Sequence, residues 1–415
     1  MQSAQPPTQV RPVPPFLLEG KPFCFHGANN YYLHHKPRAA VLEVLDAARS
    51  MELKVLRTWA FLDRGSLDES RANAKEPGHA EGVYFQYWDE ALARPAFNDG
   101  ANGLQHLDFV LHAARERGLK LILVLTNNWR DFGGMDQYLI WFGLTRHHEF
   151  YGDDRVRAAY KDWVMHLVSR QNSIDGMLYS EDPAIFGWEL ANEPRTINFG
   201  AFDSAEGWNT STLIDWASEM SLFIQGLDPN HLVSVGDEGF LDGGGQGWPY
   251  QAAYGVDHKQ LTSLPSVDFG TFHLYPEHWG QPKSFGESWI NAHLELARAI
   301  RKPTLLEEYG VSVQRSDETS GEVVSGLPAR KSAYTNWSDA LRSSGGAGGL
   351  FWLLSGHDGA QLYPDFDHFT VYPHDESALL LEKVATLAAH NPLCTASASP
   401  LDAAQESPFV RVAGP

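Results

Sequence analysis

The chain has 415 residues, with 32 Lys and Arg against 52 Asp and Glu, a formal charge of −20. Such a surface repels polyanions and disfavours nucleic-acid binding by phosphate neutralisation. No apolar run reaches the ~18 residues of a membrane span, and 43% hydrophobic content argues against intrinsic disorder.

The opening MQSAQPPTQVRPVPPF is Pro-rich and lacks the apolar stretch of a signal peptide. As it stands, the chain is expected to be cytosolic or to have lost its signal. A turn in FLLEGKPF leads to a strand at 23–26. A helix (AAVLEVLDAARSME) and a strand (KVLRTWAF) follow. A polar insertion over about 63–100 contains Tyr84, Tyr87 and Trp88. Its charged part, 64–81, reads as a solvated loop; with the three aromatics it could instead wall one end of a cleft. LQHLDFVLHAARERG is a helix closed by Gly118, and LKLILVLTNNW is a buried strand. DDRVRAAYKDWVMHLVSRQN is a helix with an Asp cap, followed by the strand PAIFGWELANEP. The helix TLIDWASEMSLFIQGLDPN precedes the strand HLVSVGDEG and the Gly-rich loop LDGGGQGW. VDFGTFHLYP, KPTLLEEYG and GGLFWLLSG are three further strands. Helices at about 288–301, 330–343 and 376–390 separate or follow them.

These are eight strands, each followed by a helix or a long loop. They are apolar throughout, as parallel strands covered on both faces should be. The pattern predicts a single α/β domain, a (β/α)8 TIM barrel with enlarged βα loops at its C-terminal face. A doubly wound open sheet is the alternative, but no Gly-rich phosphate turn follows the first strand. The expected division is a Pro-rich segment over 1–15, the barrel over 16–392 and a tail over 393–415. The tail is small and polar and is expected to hug the surface or be loosely ordered. Cys24 and Cys394 lie near opposite ends of the chain. A closed barrel makes a bridge between them conceivable; two buried free thiols are the alternative.

Catalytic groups of a barrel gather at the C-terminal strand ends. Those ends carry Arg57, Asn127 and Asn128, Asn192 and Glu193, Asp237, His273 and Tyr275, Glu308, and Trp352. Asp237 fits a helix-capping role. The remaining set is too rich in charge to be capping alone. Glu193 and Glu308 belong to the fourth and seventh strands, on facing sides of the barrel. Two opposed carboxylates fit glycosidic bond cleavage, with one protonated to release the leaving oxygen and one ionised to attack the anomeric carbon. Like charge held close should raise one of the two pKa values. A separation near 5–5.5 Å would make the reaction retaining.

WELANEPR followed by LLEEYG resembles the acid/base and nucleophile strands of glycoside hydrolase family 5. TNNWRDFGGMDQYLIW, FHGANNYYL, VLRTWAF, FGTFHLYPEHW and GLFWLL extend the resemblance to its endo-β-1,4-mannanase branch, as does the stretch from DDRVRAAYKDW to NEPR. The resemblance runs from about residue 16 to 390. It implies a barrel and retaining hydrolysis without a metal or other cofactor. It places the acid/base on Glu193 and the nucleophile on Glu308. Two neighbours compete on paper. Strand alternation points Glu307 at the helices, and Glu189 should lie roughly 13 Å deeper than Glu193 at about 3.3 Å per residue. By type, Arg57 would hold the nucleophile ionised and Asn192 would contact the sugar 2-hydroxyl. His273 and Tyr275 would orient the two carboxylates, and Trp352 would lie under the sugar ring. Asn127 and His26 would line the same mouth, and Trp129 and Trp279 are further stacking candidates.

His34-His35 and His147-His148-Glu149 lack the HExxH spacing of a zinc site, so no metal is expected. The expected activity is hydrolysis of internal β-1,4 bonds in mannan, glucomannan or galactomannan by a secreted, monomeric enzyme. Its partner would be the neutral β-mannan, with no nucleic acid and no membrane. An exo-acting β-mannosidase or a cellulase-like β-1,4-glycanase on the same barrel are alternatives. A non-catalytic glycan-binding protein would keep the aromatics but lose the carboxylates.

Overall fold

The structure, a computed structural model, describes residues 13–75, 82–197, 209–313 and 326–391, and the backbone of 410–412. Eight parallel strands form one sheet. They are β1 (Phe25–Asn29), β2 (Val55–Trp59), β3 (Lys120–Val124), β4 (Ile185–Glu189), β5 (Leu232–Ser234), β6 (Gly270–Leu274), β7 (Thr304–Tyr309) and β8 (Gly348–Phe351). Every residue of these strands is buried, which is why they read as unbroken apolar runs. The ladder order is β5-β4-β3-β2-β1-β8-β7-β6. Chain order therefore continues around the sheet, as in a barrel and not as in a doubly wound sheet. At the seam, Asp268 N donates to Val233 O at 2.8 Å and His273 N to Glu238 O at 3.0 Å. The (β/α)8 barrel is nearly closed.

One helix after each strand completes the units: α1 (Arg38–Ser50), α2 (Gln105–Arg115), α3 (Asp154–Val168), α4 (Thr210–Leu227), α5 (His258–Ser263), α6 (Phe285–Ile300), α7 (Leu327–Ser343) and α8 (Glu376–Ala389); Gly134–Phe142 and Glu149–Gly152 are further helices between β3 and α3. The Asp cap expected ahead of α3 forms: the Asp153 carboxylate accepts from Arg155 N and Val156 N, satisfying amides that the first turn leaves open.

A hairpin of Phe16–Leu18 and Lys21–Phe23 closes the N-terminal end of the barrel. Phe16 is fully buried and meets Phe186 and Phe269 edge-on, with centroids 5.1 and 5.4 Å apart. Phe25, Val55, Ile122, Leu232, Leu305 and Leu350 complete this cluster. With one end plugged by aromatic rings, only the C-terminal end is open to a substrate. Beneath the plug, Val410–Val412 adds a parallel strand to Phe16–Leu18. The rest of the tail, 392–409 and 413–415, lies outside the described residues. Cys24 is disulfide-bonded, which removes the free-thiol reading. Cys394, the chain's one other cysteine, also lies outside the described residues.

The insertion after β2 is more ordered than a solvated loop. Asp63–Ser66, Gln86–Asp89 and Arg94–Phe97 form a three-stranded sheet. Asp63 is buried and accepts from Gln86 Nε2 at 2.7 Å, and Gln86 Nε2 also donates to Tyr138 at 2.9 Å. Residues 76–81 lie outside the described residues. Trp88 belongs to the core, with the Arg71 guanidinium 4.2 Å from its ring. Tyr84 and Tyr87 pack on each other away from the cleft, so the expected aromatic wall is not built from these three. Among the described residues of the insertion, Lys75 lines the cleft.

Candidate active site

The C-terminal ends of the strands open into a cleft of about 810 Å³. Glu193 follows β4 in a left-handed conformation, φ 48°, which a non-Gly residue adopts only under constraint. Its amide donates to Gly236 O at 2.9 Å, tying it to the segment after β5. One oxygen each of Glu193 and Glu308 and one ring nitrogen of His273 lie within 4.8 Å of one another. That spacing suits two carboxylates acting on opposite sides of one anomeric carbon with no water between them.

Glu308 reaches the cleft through an irregularity in β7. Pairing with β6 runs Phe272 to Leu306 and then His273 to Glu308, skipping Glu307. Pairing with β8 shifts over the same residues. Two residues stand where alternation allows one, so Glu307 and Glu308 both face inward. Glu307 is fully buried, 3.5 Å from Arg57 Nε and 3.6 Å from His273 Nε2. The expectation that it points at the helices is therefore corrected. Glu189 is not remote either: it accepts from Arg57 Nη2 at 2.6 Å and Nε at 3.0 Å. The chain from 190 to 193 is not an extended strand, so a depth counted at strand rise does not apply.

Arg57 is the hub of the floor. It is fully buried and donates to Glu308 Oε1 at 2.5 Å, Glu189 at 2.6 Å, Asn192 Oδ1 at 2.7 Å and Asn29 Oδ1 at 3.2 Å. Burial alone would lower its pKa. Glu189, Glu307 and Glu308 outweigh burial and hold it charged. Tyr275 OH donates to Glu308 Oε2 at 2.8 Å. Burial, reinforced by Glu308, raises the Tyr275 phenol well above its ordinary range, so it stays a donor. Glu308 thus receives one cationic and one neutral hydrogen bond.

Glu193 sits in a different field. His273 Nδ1 lies 2.8 Å from Oε1, and Trp129 Nε1 donates to Oε2 at 2.6 Å. Burial pushes this carboxyl up, but His273, Arg195 and Trp129 overcome it and hold it at about 2. Burial opposes the charging of His273; Glu308 and Glu193 prevail and raise it well above 6.5. Glu308 is raised by burial against the pull of His273 and Arg57. The carboxyl raised in the free protein is therefore Glu308, contrary to a simple reading in which the acid is the raised one. The proton beside Glu193 resides on His273, one hydrogen bond away.

Asn127, Asn192, Trp129, Tyr275, Trp279 and Trp352 all line the cleft with the two glutamates; His273 stands beneath them, fully buried. Asn192 Nδ2 donates to Asn127 Oδ1 at 2.9 Å, and Trp129 N to the same atom at 3.2 Å. Trp352 stacks on Tyr31 with centroids 5.8 Å apart. Trp129 orients Glu193 through its indole nitrogen, beyond its expected part as a stacking face. His26 is not at the mouth. It lies on the outer face of β1, bonded to Tyr309 OH at 2.7 Å, because alternation from the inward-facing Asn29 turns it to the helices. Asp237 accepts from Gly239 N at 3.1 Å and pairs with the His258 ring at 2.8 Å; its role is structural, but it does not cap a helix as expected, because Asp257 caps α5. His34 is buried beside Phe132, and its pKa falls to about 3 mainly through burial. His147 faces Asp136 at 3.4 Å.

Sequence reasoning missed Tyr31, Trp59, Arg195, Glu238, Trp248 and Tyr254, which also line the cleft. Arg195 forms a bidentate pair with Glu238 at 2.6 and 2.7 Å. Its guanidinium lies 5.0 Å from the Trp129 ring and 4.4 Å from that of Tyr254. Glu238 is raised by burial, despite Arg195, to about 7. Arg195 stands directly after Asn-Glu-Pro and Glu238 directly after Asp237, so both signals lay beside residues already singled out.

A family model described as glycoside hydrolase family 5 β-mannosidase-like matches residues 11–361. Mannan endo-1,4-β-mannosidase A of Podospora anserina is 37% identical over 361 residues, covering 86% of this chain and 84% of that protein. The endo-1,4-β-mannanase of Rhizomucor miehei superposes with a TM-score of 0.80 at 34% identity, covering 91% of this chain and 98% of that one. The hyperthermostable endo-1,4-β-D-mannanase of Thermotoga petrophila RKU-1 gives 0.73 at 39% identity, covering 88% and 100%. The chain belongs to glycoside hydrolase family 5, among its β-mannosidase-like members.

Proposed function

We propose that residues 16–392 form a retaining endo-β-1,4-mannanase that cleaves internal bonds of mannan, glucomannan or galactomannan by double displacement. The observation that carries this reading is the close pair Glu193 and Glu308 held in unlike fields at the mouth of the barrel. Glu308, fixed by Arg57 and Tyr275, attacks the anomeric carbon while the bond to the leaving oxygen breaks. Glu193 passes a proton to that oxygen, drawn from its shared hydrogen bond with His273; the two groups titrate as a pair. Water then gives a proton to Glu193 and its oxygen displaces Glu308, so configuration is inverted twice. Asn192 meets the 2-hydroxyl, Trp352 underlies the ring at the reacting sugar, and Trp279 offers a further aromatic face in the cleft.

Relatives named endo-acting mannanases favour endo over exo action. Disulfide bonding of Cys24 supports secretion, since such bonds persist in oxidising surroundings. No helix among the described residues is long and apolar enough to cross a membrane. We take the enzyme to act as a monomer, because one barrel supplies every residue of the site. A time course on mannohexaose tests the reading. Mixed short oligomers are expected from the start, and mannose alone would assign the exo-mannosidase instead. Glu193→Ala and Glu308→Ala should each lower kcat by about 10³-fold or more.

A further inference from the structure

The loop after β8 carries an acid that touches the cleft and is used by no step above. Asp367 Oδ2 accepts from Trp352 Nε1 at 2.8 Å, and its other oxygen accepts from Phe369 N at 3.0 Å. The Phe369 ring lies 5.4 Å from that of Tyr275, whose hydroxyl holds Glu308. The loop is anchored from behind. Arg330 of α7 is buried and donates to Val311 O at 2.7 Å, Thr370 O at 3.0 Å and His368 O at 2.6 Å. Val311 follows β7, the strand that carries Glu308. His368 takes φ 64°, a left-handed bend that lets its flanking residues diverge, Asp367 to one wall and Phe369 to the other.

We infer that Asp367 is a positioning residue for the hydrolytic reaction. Through its carboxylate it fixes the plane of Trp352, and through the Phe369 turn it ties that plane to the Tyr275–Glu308 pair. The sugar face and the attacking carboxylate are thereby held in one frame. The Trp352 ring also stacks on Tyr31 and meets Trp59 at a tilt, contacts that allow sliding. A hydrogen bond to a fixed carboxylate removes that freedom, and small misplacements at a reacting centre cost rate steeply.

The inference rests on Trp352 underlying the reacting sugar, so Trp352→Ala is the control for that reading. Asp367→Ala should lower kcat on mannohexaose roughly 10- to 100-fold while KM, dominated by the other subsites, stays within about 2-fold. Asp367→Ser retains an oxygen able to cap Phe369 N but too short for the indole. It should fold with an unchanged melting temperature and show the same loss of kcat. In a double-mutant cycle with Trp352→Phe, which removes the indole donor, adding Asp367→Ser should cost little more. Full kcat in Asp367→Ser, or strict additivity with Trp352→Phe, overturns the inference if Trp352→Ala is impaired. Full kcat in Trp352→Ala would instead refute the platform reading beneath it.

Discussion

Glu193 and Glu308 are chemically the same side chain, and the proposed division of work between them rests on their partners. Glu308 receives Arg57 and Tyr275, while Glu193 receives His273 and Trp129. On the proposed mechanism, the proton held by the His273–Glu193 pair should set the alkaline side of the pH profile. His273 is raised above 6.5 by Glu308 and Glu193, against burial, so activity should fall only as pH rises well past that value. In His273→Gln the cation that holds Glu193 at about 2 is gone, and the proton must sit on Glu193 itself. The alkaline limb of kcat/KM should then move to lower pH; an unmoved limb would contradict the shared proton. The acid limb reports Glu308, whose pKa burial raises above 4.5, so activity is lost as falling pH protonates it. Arg57 has a second task, because Glu189, Glu307 and Glu308 all depend on it. Arg57→Met strips a buried cation from three carboxyls and should lower stability by about 3–5 kcal/mol in denaturant titrations, beyond any loss of activity.

Elements explain which residues the sequence could and could not disclose. The eight strands were legible because each is apolar on both faces, and the helix caps were legible from residue type. Glu193 and Glu308 stand at strand ends, but among 52 acidic residues it is the resemblance of WELANEPR and LLEEYG to the family's motifs that singles them out. The inward turn of Glu307 was not, because a bulge is a property of pairing between β6, β7 and β8 and leaves no local signature. The same holds for the insertion, where a buried Asp63–Gln86 bond lies hidden in a charged, loop-like stretch. His26 was misplaced for the opposite reason: alternation was readable, but the residue was assigned to the mouth by type alone. At this scale the Phe16 plug is testable. Phe16→Ala should cost about 3–5 kcal/mol, as other buried Phe truncations do. Because the plug is at the far end of the barrel from the cleft, kcat should hold at temperatures where the variant is folded; a selective loss of kcat would contradict that separation.

For the molecule as a whole, the charge of −20 coats a barrel whose chemistry uses two acids and a neutral substrate. Binding to uncharged mannan should therefore be nearly independent of salt, with KM changing by less than about 2-fold as screening becomes complete. A steep salt dependence would point to a charged glycan. Of the 13 Trp, Trp141, Trp163, Trp188, Trp216, Trp289 and Trp337 are fully buried, while Trp59, Trp129, Trp248, Trp279 and Trp352 line the cleft. Aromatic content thus served both core and substrate, and sequence alone could not apportion it. The central claim is a double displacement at one anomeric carbon between two close carboxylates. Proton NMR of the products during the first turnovers of mannohexaose tests it most directly. The β-anomer at the new reducing end should appear first and then mutarotate, whereas the α-anomer appearing first would contradict the account.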